Sequence, residues 1–199
     1  MNKFILLAIL VLSPIINSQS LVFDNTFGTE GKMITNFDMR PYKAMIINNQ
    51  YYFVGGYGIS KFNYDGSTVT NFGTNGRIDL PNYQIYHPTG AKAHGSFIYL
   101  FGKTLDGNDD DIFIAKVGLD GVFDTSFGID GICRINLGAD EVLSGFEMDS
   151  AGKILGVGTR YSTSDSRLIY LKINPNGTLD NSFAPNGYKE ISYNVATTG

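Results

Sequence analysis

Short runs of apolar and aromatic residues, each broken within a few positions by Gly, Asn, Asp or Ser, recur along the whole chain after residue 20. Residues 51–56 (YYFVGG), 97–102 (FIYLFG) and 153–158 (KILGVG) share one pattern, and 112–117 (IFIAKV) and 168–173 (LIYLKI) share a second. Aromatic and β-branched residues in runs of this length, bounded by turn-forming residues, predict β-strands. A third strand is predicted at 76–80 (GRIDL) and 131–137 (GICRINL), and a fourth around 43–47, 89–93 and 145–148. No stretch has the length and 3.6-residue period of a substantial helix.

The strands belong to a repeat. Four boxes align, at Asp24–Gly31, Thr70–Gly76, Asp124–Gly131 and Asp180–Gly187, each centred on a phenylalanine: Phe27, Phe72, Phe127 and Phe183. A glycine follows the first three, Gly28, Gly73 and Gly128, whereas Ala184 follows the last. Six residues before each of the last three phenylalanines stands a turn glycine, Gly66, Gly121 and Gly177. Five before each of those stands a lysine, Lys61, Lys116 and Lys172. Such agreement marks a unit of about 40 to 50 residues and four strands, the size of a propeller blade. One small sheet cannot bury both of its faces, but sheets stacked face to face can. The phenylalanines are expected to plug the junctions. Asp24, Asp124 and Asp180 are expected to accept turn N–H groups, and the glycines to supply positive φ.

The expected fold is therefore all-β: a β-propeller-type array of three blades of about four antiparallel strands, incomplete as a propeller. Repeat one spans 21–66, repeat two 67–121, repeat three 122–177, and a partial fourth 178–199. Closed propellers hold roughly four to eight blades, so three leave open edges and invite self-association: the favoured reading is a truncated member whose other blades are missing, and the alternative is closure by pairing with another copy.

The pattern Lys-(x)4-Gly-(x)2-(Leu/Phe)-Asp-(x)-Ser-Phe-Gly-(x)2-Gly, as it stands from Lys116 to Gly131, resembles the delta-60 repeat of bacterial β-propeller-like proteins. The resemblance covers nearly all of 21–199 and is clearest at 112–131 and 168–187. It implies fold and export and carries no catalytic residues. Val69 in place of the box Asp, Ala184 in place of the box Gly, and a first repeat ten residues short depart from the pattern.

Residues 1–20 read as a secretory signal peptide. Lys3 precedes the apolar run 4–12, and Ser18 and Ser20 place small residues at −3 and −1 of a cut before Leu21. The run is shorter than the roughly 20 residues of a membrane span. Secretion or display at the cell surface follows, with no membrane span after cleavage. A net charge of −4 without a Lys/Arg cluster excludes a nucleic-acid partner. With 12 Tyr and 14 Phe, the surface suits a protein or a carbohydrate.

The candidate chemistry is sparse. Asp106, Asp109, Asp110 and Asp111 crowd one loop and offer a calcium site, but they lack the alternate spacing and closing Glu of a calcium loop. The stronger reading is a solvated hairpin, in the slot that Arg160–Arg167 fills in the next repeat; stacking sets the two loops side by side, so Asp109–Asp111 are expected to pair with Arg160 or Arg167. Cys133, the single cysteine, aligns with Met33 and Ile78 and reads as core. His87 and His94 do not recur. The lysine series reads as a half-exposed row with packed stems. No catalytic residue and no cofactor are expected. The function read from this is an exported, non-catalytic binding or scaffolding module. The alternatives are part of a larger secreted propeller enzyme acting on carbohydrate, or a fragment without an independent role.

Overall fold

A computed structural model of the chain describes residues 24–33, 35, 40–82, 86–105, 109–162 and 166–192. The signal peptide expected at 1–20 lies outside them, as does Asp106.

Among the described residues, twelve strands form three antiparallel four-stranded sheets. Sheet 1 holds β1 (Pro41–Ile47), β2 (Gln50–Gly55), β3 (Gly58–Asn63) and β4 (Arg77–Asp79). Sheet 2 holds β5 (Tyr86–His94), β6 (Phe97–Thr104), β7 (Ile112–Gly118) and β8 (Ile132–Ile135). Sheet 3 holds β9 (Asp140–Met148), β10 (Ile154–Tyr161), β11 (Ser166–Ile173) and β12 (Tyr188–Ser192). Each is a meander in chain order. The three sheets stand as an open propeller-like array, as the repeat predicts.

The sheets run out of phase with the sequence repeat by one strand. The strand after each of the last three boxes turns back onto the sheet before it: β4 pairs with β3, β8 with β7 and β12 with β11. Each of those three boxes is thus the connection between the third and fourth strands of one sheet, while the first precedes β1. The tight turn asks for it, since Gly28, Gly73 and Gly128 hold φ of 58°, 54° and 62°. Oδ1 of Asp24, Asp124 and Asp180 accepts the N–H and hydroxyl of Thr26, Ser126 and Ser182 respectively.

Period-two alternation gives every strand two faces, and both faces of sheet 2 are covered. Ile98, Leu100, Phe113, Ala115 and Val117 face sheet 1, packing with Tyr52, Val54, Ile59 and Phe72. Tyr99, Ile112, Ile114, Cys133 and Ile135 face sheet 3, packing with Leu143, Phe146, Ile154, Leu171 and Phe127. Two cores therefore alternate along the array, one per junction. Fully burying an aliphatic or Phe side chain contributes about 1.5–3 kcal/mol, so these junctions carry the fold.

Candidate functional site

Strand register makes the repeats comparable residue by residue. Tyr52 pairs with Lys61, Tyr99 with Lys116 and Leu155 with Lys172, so these are equivalent positions on the trailing face of each sheet, the face turned toward the next. Tyr52 is 1% exposed and Tyr99 5%, but Leu155 is 47% exposed, since among the described residues no sheet packs on it. Leading faces show the converse. Ile98 and Ile154 are fully buried, while their equivalent Tyr51 is half-buried. Ala91 and Phe146 are buried, while their equivalent Ala44 is exposed.

The two filled junctions share one construction. Phe72 meets Tyr52 edge-on at 5.8 Å, and Phe127 meets Tyr99 edge-on at 6.1 Å. Each plug lies under the lysine of the same sheet. Lys61 Nζ stands 5.0 Å from the Tyr52 ring and 5.3 Å from the Phe72 ring, and Lys116 Nζ stands 4.2 Å from the Phe97 ring and 5.9 Å from the Phe127 ring. Lys116 also pairs with the box carboxylate of Asp124 at 2.7 Å. Val69 offers no such carboxylate, so Lys61 donates across the junction to the Leu119 carbonyl at 2.8 Å instead. Burial holds Lys61 below the usual ammonium range, against the opposing pull of Asp120. Lys116 and Lys61 are junction residues rather than a free row of cations.

Phe27 occupies half of such a junction. It packs edge-on against Tyr51 at 5.8 Å, and the Gly28 N–H donates to the Asp65 carbonyl at 2.7 Å, just as the Gly128 N–H donates to Asn176 at 2.8 Å. Among the described residues, nothing fills the other half, where a tyrosine and a lysine stand in the filled junctions. A groove of about 710 Å³ lies there, lined by Phe27, Tyr51, Phe53, Tyr64, Asp24 and Asn63. Tyr64 stacks on Tyr51 at 5.5 Å and is 63% exposed. The groove is the candidate site. Its polar rim is partly engaged: Asp24 Oδ1 holds Thr26, Asp65 Oδ1 holds Ser67, and Asn63 donates to Ser67 while accepting from Gln50. What it offers a partner is aromatic surface.

The fourth box covers the opposite end of the array. Phe183 lies under Lys189, and Asp180 pairs with Lys153 at 2.6 Å rather than with Lys172, which reaches Asp149 at 3.4 Å. Leu155 and Val157 remain exposed beside it.

The acidic loop does not meet its expected partners. Asp110 pairs with Lys103 and Asp111 with Arg134, both at 2.5 Å, because these cations stand on neighbouring strands of the same sheet. Asp109 accepts from Asn136 at 3.5 Å. Arg160 and Arg167 go instead to sheet-3 carboxylates, Arg160 to Glu141 and Glu190 and Arg167 to Glu190. The loops do meet across the seam, through the Glu141 N–H to the Asp110 carbonyl at 2.6 Å and the Asp110 N–H to Asp140 at 2.9 Å. Among the described residues, no three or more ligating side chains converge for a metal. Cys133 is buried in β8, and burial pushes its thiol up to about 12, which makes it inert as a nucleophile at neutral pH.

Sequence reasoning missed Glu141. Fully buried between sheets 2 and 3, it accepts the Leu137 and Ala139 N–H groups at 3.1 Å each and faces Arg160 at 3.5 Å. Burial pushes it up to about 7, over the opposing pull of its two N–H donors. Its role is to hold the β8–β9 connection.

The fold and its half-built junction define an open propeller-like repeat protein. Comparison with known families and with curated proteins finds no match for the chain.

Proposed function

We propose that this chain is an exported, non-catalytic binding or scaffolding module of the delta-60 repeat type, and that it works by docking protein against its open leading face. One observation carries the reading: Phe27 stands in a junction built like those of Phe72 and Phe127 but with one side open. The groove that results is lined by four aromatic rings, with one oxygen of each rim carboxylate and the Asn63 amide engaged in turns, which favours a protein face over a sugar. Repeats with paired loops and, among the described residues, no converging nucleophile, acid and base fit a scaffold better than an enzyme.

Hydroxyl-radical footprinting tests this. In material taken directly from the extracellular fraction, Tyr51 and Tyr64 are protected relative to the purified, dilute chain, while Tyr161 on sheet 3 reacts equally in both. Equal reactivity of Tyr51 in the two samples overturns the docking reading. N-terminal sequencing of the extracellular protein tests export, with Leu21 as the expected first residue.

A further inference from the structure

The third box, Asp124–Gly131, is a clip with two backbone ends, and one lysine residue occupies both. The Asp124 N–H donates to the Lys116 carbonyl at 2.9 Å, and the Lys116 N–H donates to the Gly131 carbonyl at 2.9 Å. Lys61 sits the same way in the second box, accepting from the Val69 N–H at 3.1 Å and donating to the Gly76 carbonyl at 2.9 Å. The fourth box keeps the first of these bonds, from the Asp180 N–H to the Lys172 carbonyl at 2.7 Å. In the third box the side chain completes the grip. Asp124 divides its carboxylate: Oδ1 holds Ser126, and Oδ2 takes the Lys116 ammonium, which also lies over the Phe127 ring.

The first box, Asp24–Gly31, carries the same parts, and among the described residues nothing occupies them. Asp24 Oδ1 holds the Thr26 N–H and hydroxyl, as Asp124 Oδ1 holds Ser126, and Oδ2 has no cation there. The Asp24 N–H and the Gly31 carbonyl make no hydrogen bond among the described residues. Both residues line the groove beside Phe27 and Tyr51. Phe72, Phe127 and Phe183 each lie under an ammonium, whereas Phe27 lies under none among the described residues. The charged residues lining the groove are Asp24 and Asp65, so its complement is a cation.

One residue type answers every open group. A lysine in extended backbone offers its N–H and C=O on the same side, so it can give the one to Gly31 and the other to Asp24. Its ammonium reaches Asp24 Oδ2, as Lys116 reaches Asp124. We infer that the groove recognises an extended, lysine-bearing segment of the docked protein, laid against the first box as an added strand, with the lysine backbone clipped between Asp24 and Gly31 and its ammonium on Asp24 above the Phe27 ring. Main-chain bonds then supply affinity and the lysine pocket supplies selectivity. The inference rests on the docking reading above and names the chemistry of the contact.

The test is an NMR titration of the purified chain with the peptide GISKFN, blocked at both ends, which copies residues 58–63 and carries the lysine of β3. Binding moves the Phe27 and Tyr51 ring resonances and shifts the Asp24 amide proton downfield as it gains an acceptor. Methionine in place of the peptide lysine weakens binding by about fivefold, the size of a partly exposed ion pair, and Asp24→Asn in the chain does the same. The two changes together cost no more than either alone, because both remove one contact. Should Asp24→Asn loosen the first box, the peptide substitution still decides on the unaltered chain. A peptide that moves no resonance of residues 24–31 at millimolar concentration overturns the inference, and so do lysine and methionine peptides that bind equally. A second arm separates this inference from the docking reading. In the extracellular material, Tyr51 of the Asp24→Asn chain is expected to lose most of its protection. Full protection in that variant overturns the lysine contact and leaves docking in place, whereas an unprotected Tyr51 in the unaltered chain removes docking itself.

Discussion

Lys116 Nζ lies 2.7 Å from the Asp124 carboxylate, with the side chains only 12% and 18% exposed. The lysine comes from the third strand of sheet 2 and the aspartate from the box that leaves it, so the pair clamps the box in place above Phe127. Two residues eight apart in sequence thus fix a plug between two sheets.

Lys116→Met is expected to cost about 1 kcal/mol, since a half-shielded pair and its ring contacts are lost while the aliphatic stem is kept. Lys61→Met costs less, because Lys61 has similar ring contacts but donates to a carbonyl rather than a carboxylate and already bears a desolvation penalty. Urea melts of the two variants check the order.

Truncating the plugs separates filled junctions from the open one. Phe72→Ala and Phe127→Ala each remove a ring that is 1% exposed and are expected to cost about 3–5 kcal/mol. Phe27→Ala faces an open groove and costs less than about 1 kcal/mol by the same reasoning. Equal losses in the three melts contradict the half-junction.

The turn of each sheet leaves no room beneath the preceding box. A Cβ on Gly177, at φ +84°, lands 2.7 Å from the Gly128 nitrogen. Gly177→Ala is expected to cost about 2 kcal/mol or more through combined strain and clash. Gly95 also has positive φ, but a Cβ there meets nothing within 4 Å, so Gly95→Ala costs about 1 kcal/mol. The difference between the two melting points reads the close approach directly.

Two pH limbs follow from the carboxylates. Glu141 rises from its ordinary 4.5 to about 7 on folding, so the native state binds its proton more tightly. The stabilisation is complete below about 4.5 and is lost as pH climbs through about 7. Asp124 and Asp180 move the other way, from 3.8 to about 2, mainly through hydrogen bonds from Lys116 and Lys153. Their contribution is present above 3.8 and disappears as pH falls through about 2. Melting temperature is therefore expected to be higher at pH 5 than at pH 8, and Glu141→Gln to flatten that difference while leaving the acid limb in place.

Much of this architecture was legible because it is local. The aromatic and β-branched runs that became β2, β6, β10, β7 and β11 carry their strand signal in a few residues, and the turn carboxylates of Asp24, Asp124 and Asp180 act two residues away. Copying makes even weak strands readable: β1, β5 and β9 were placed by their position in the repeat. What stayed hidden depends on pairing between segments. Nothing local in 76–80 says that it closes the sheet behind it. The aspartates of the acidic loop found Lys103 and Arg134 within their own sheet, because strand register brings those cations nearer than the arginines across the seam. Glu141 gave no signal, since a lone glutamate before an apolar strand looks like any solvated residue.

The central claim is that Phe72 and Phe127 fill equivalent places in the two filled junctions and that Phe27 stands in half of such a junction. Inter-ring NOEs on the chain from Leu21, with Phe and Tyr selectively labelled, test it most directly. Cross-peaks from Phe72 to Tyr52, from Phe127 to Tyr99 and from Phe27 to Tyr51, with no contact from Phe27 to any ring beyond sheet 1, are the predicted result. Phe72 and Phe127 in contact with unrelated residues, or a Phe27 ring enclosed on both sides in the dilute monomer, contradicts it.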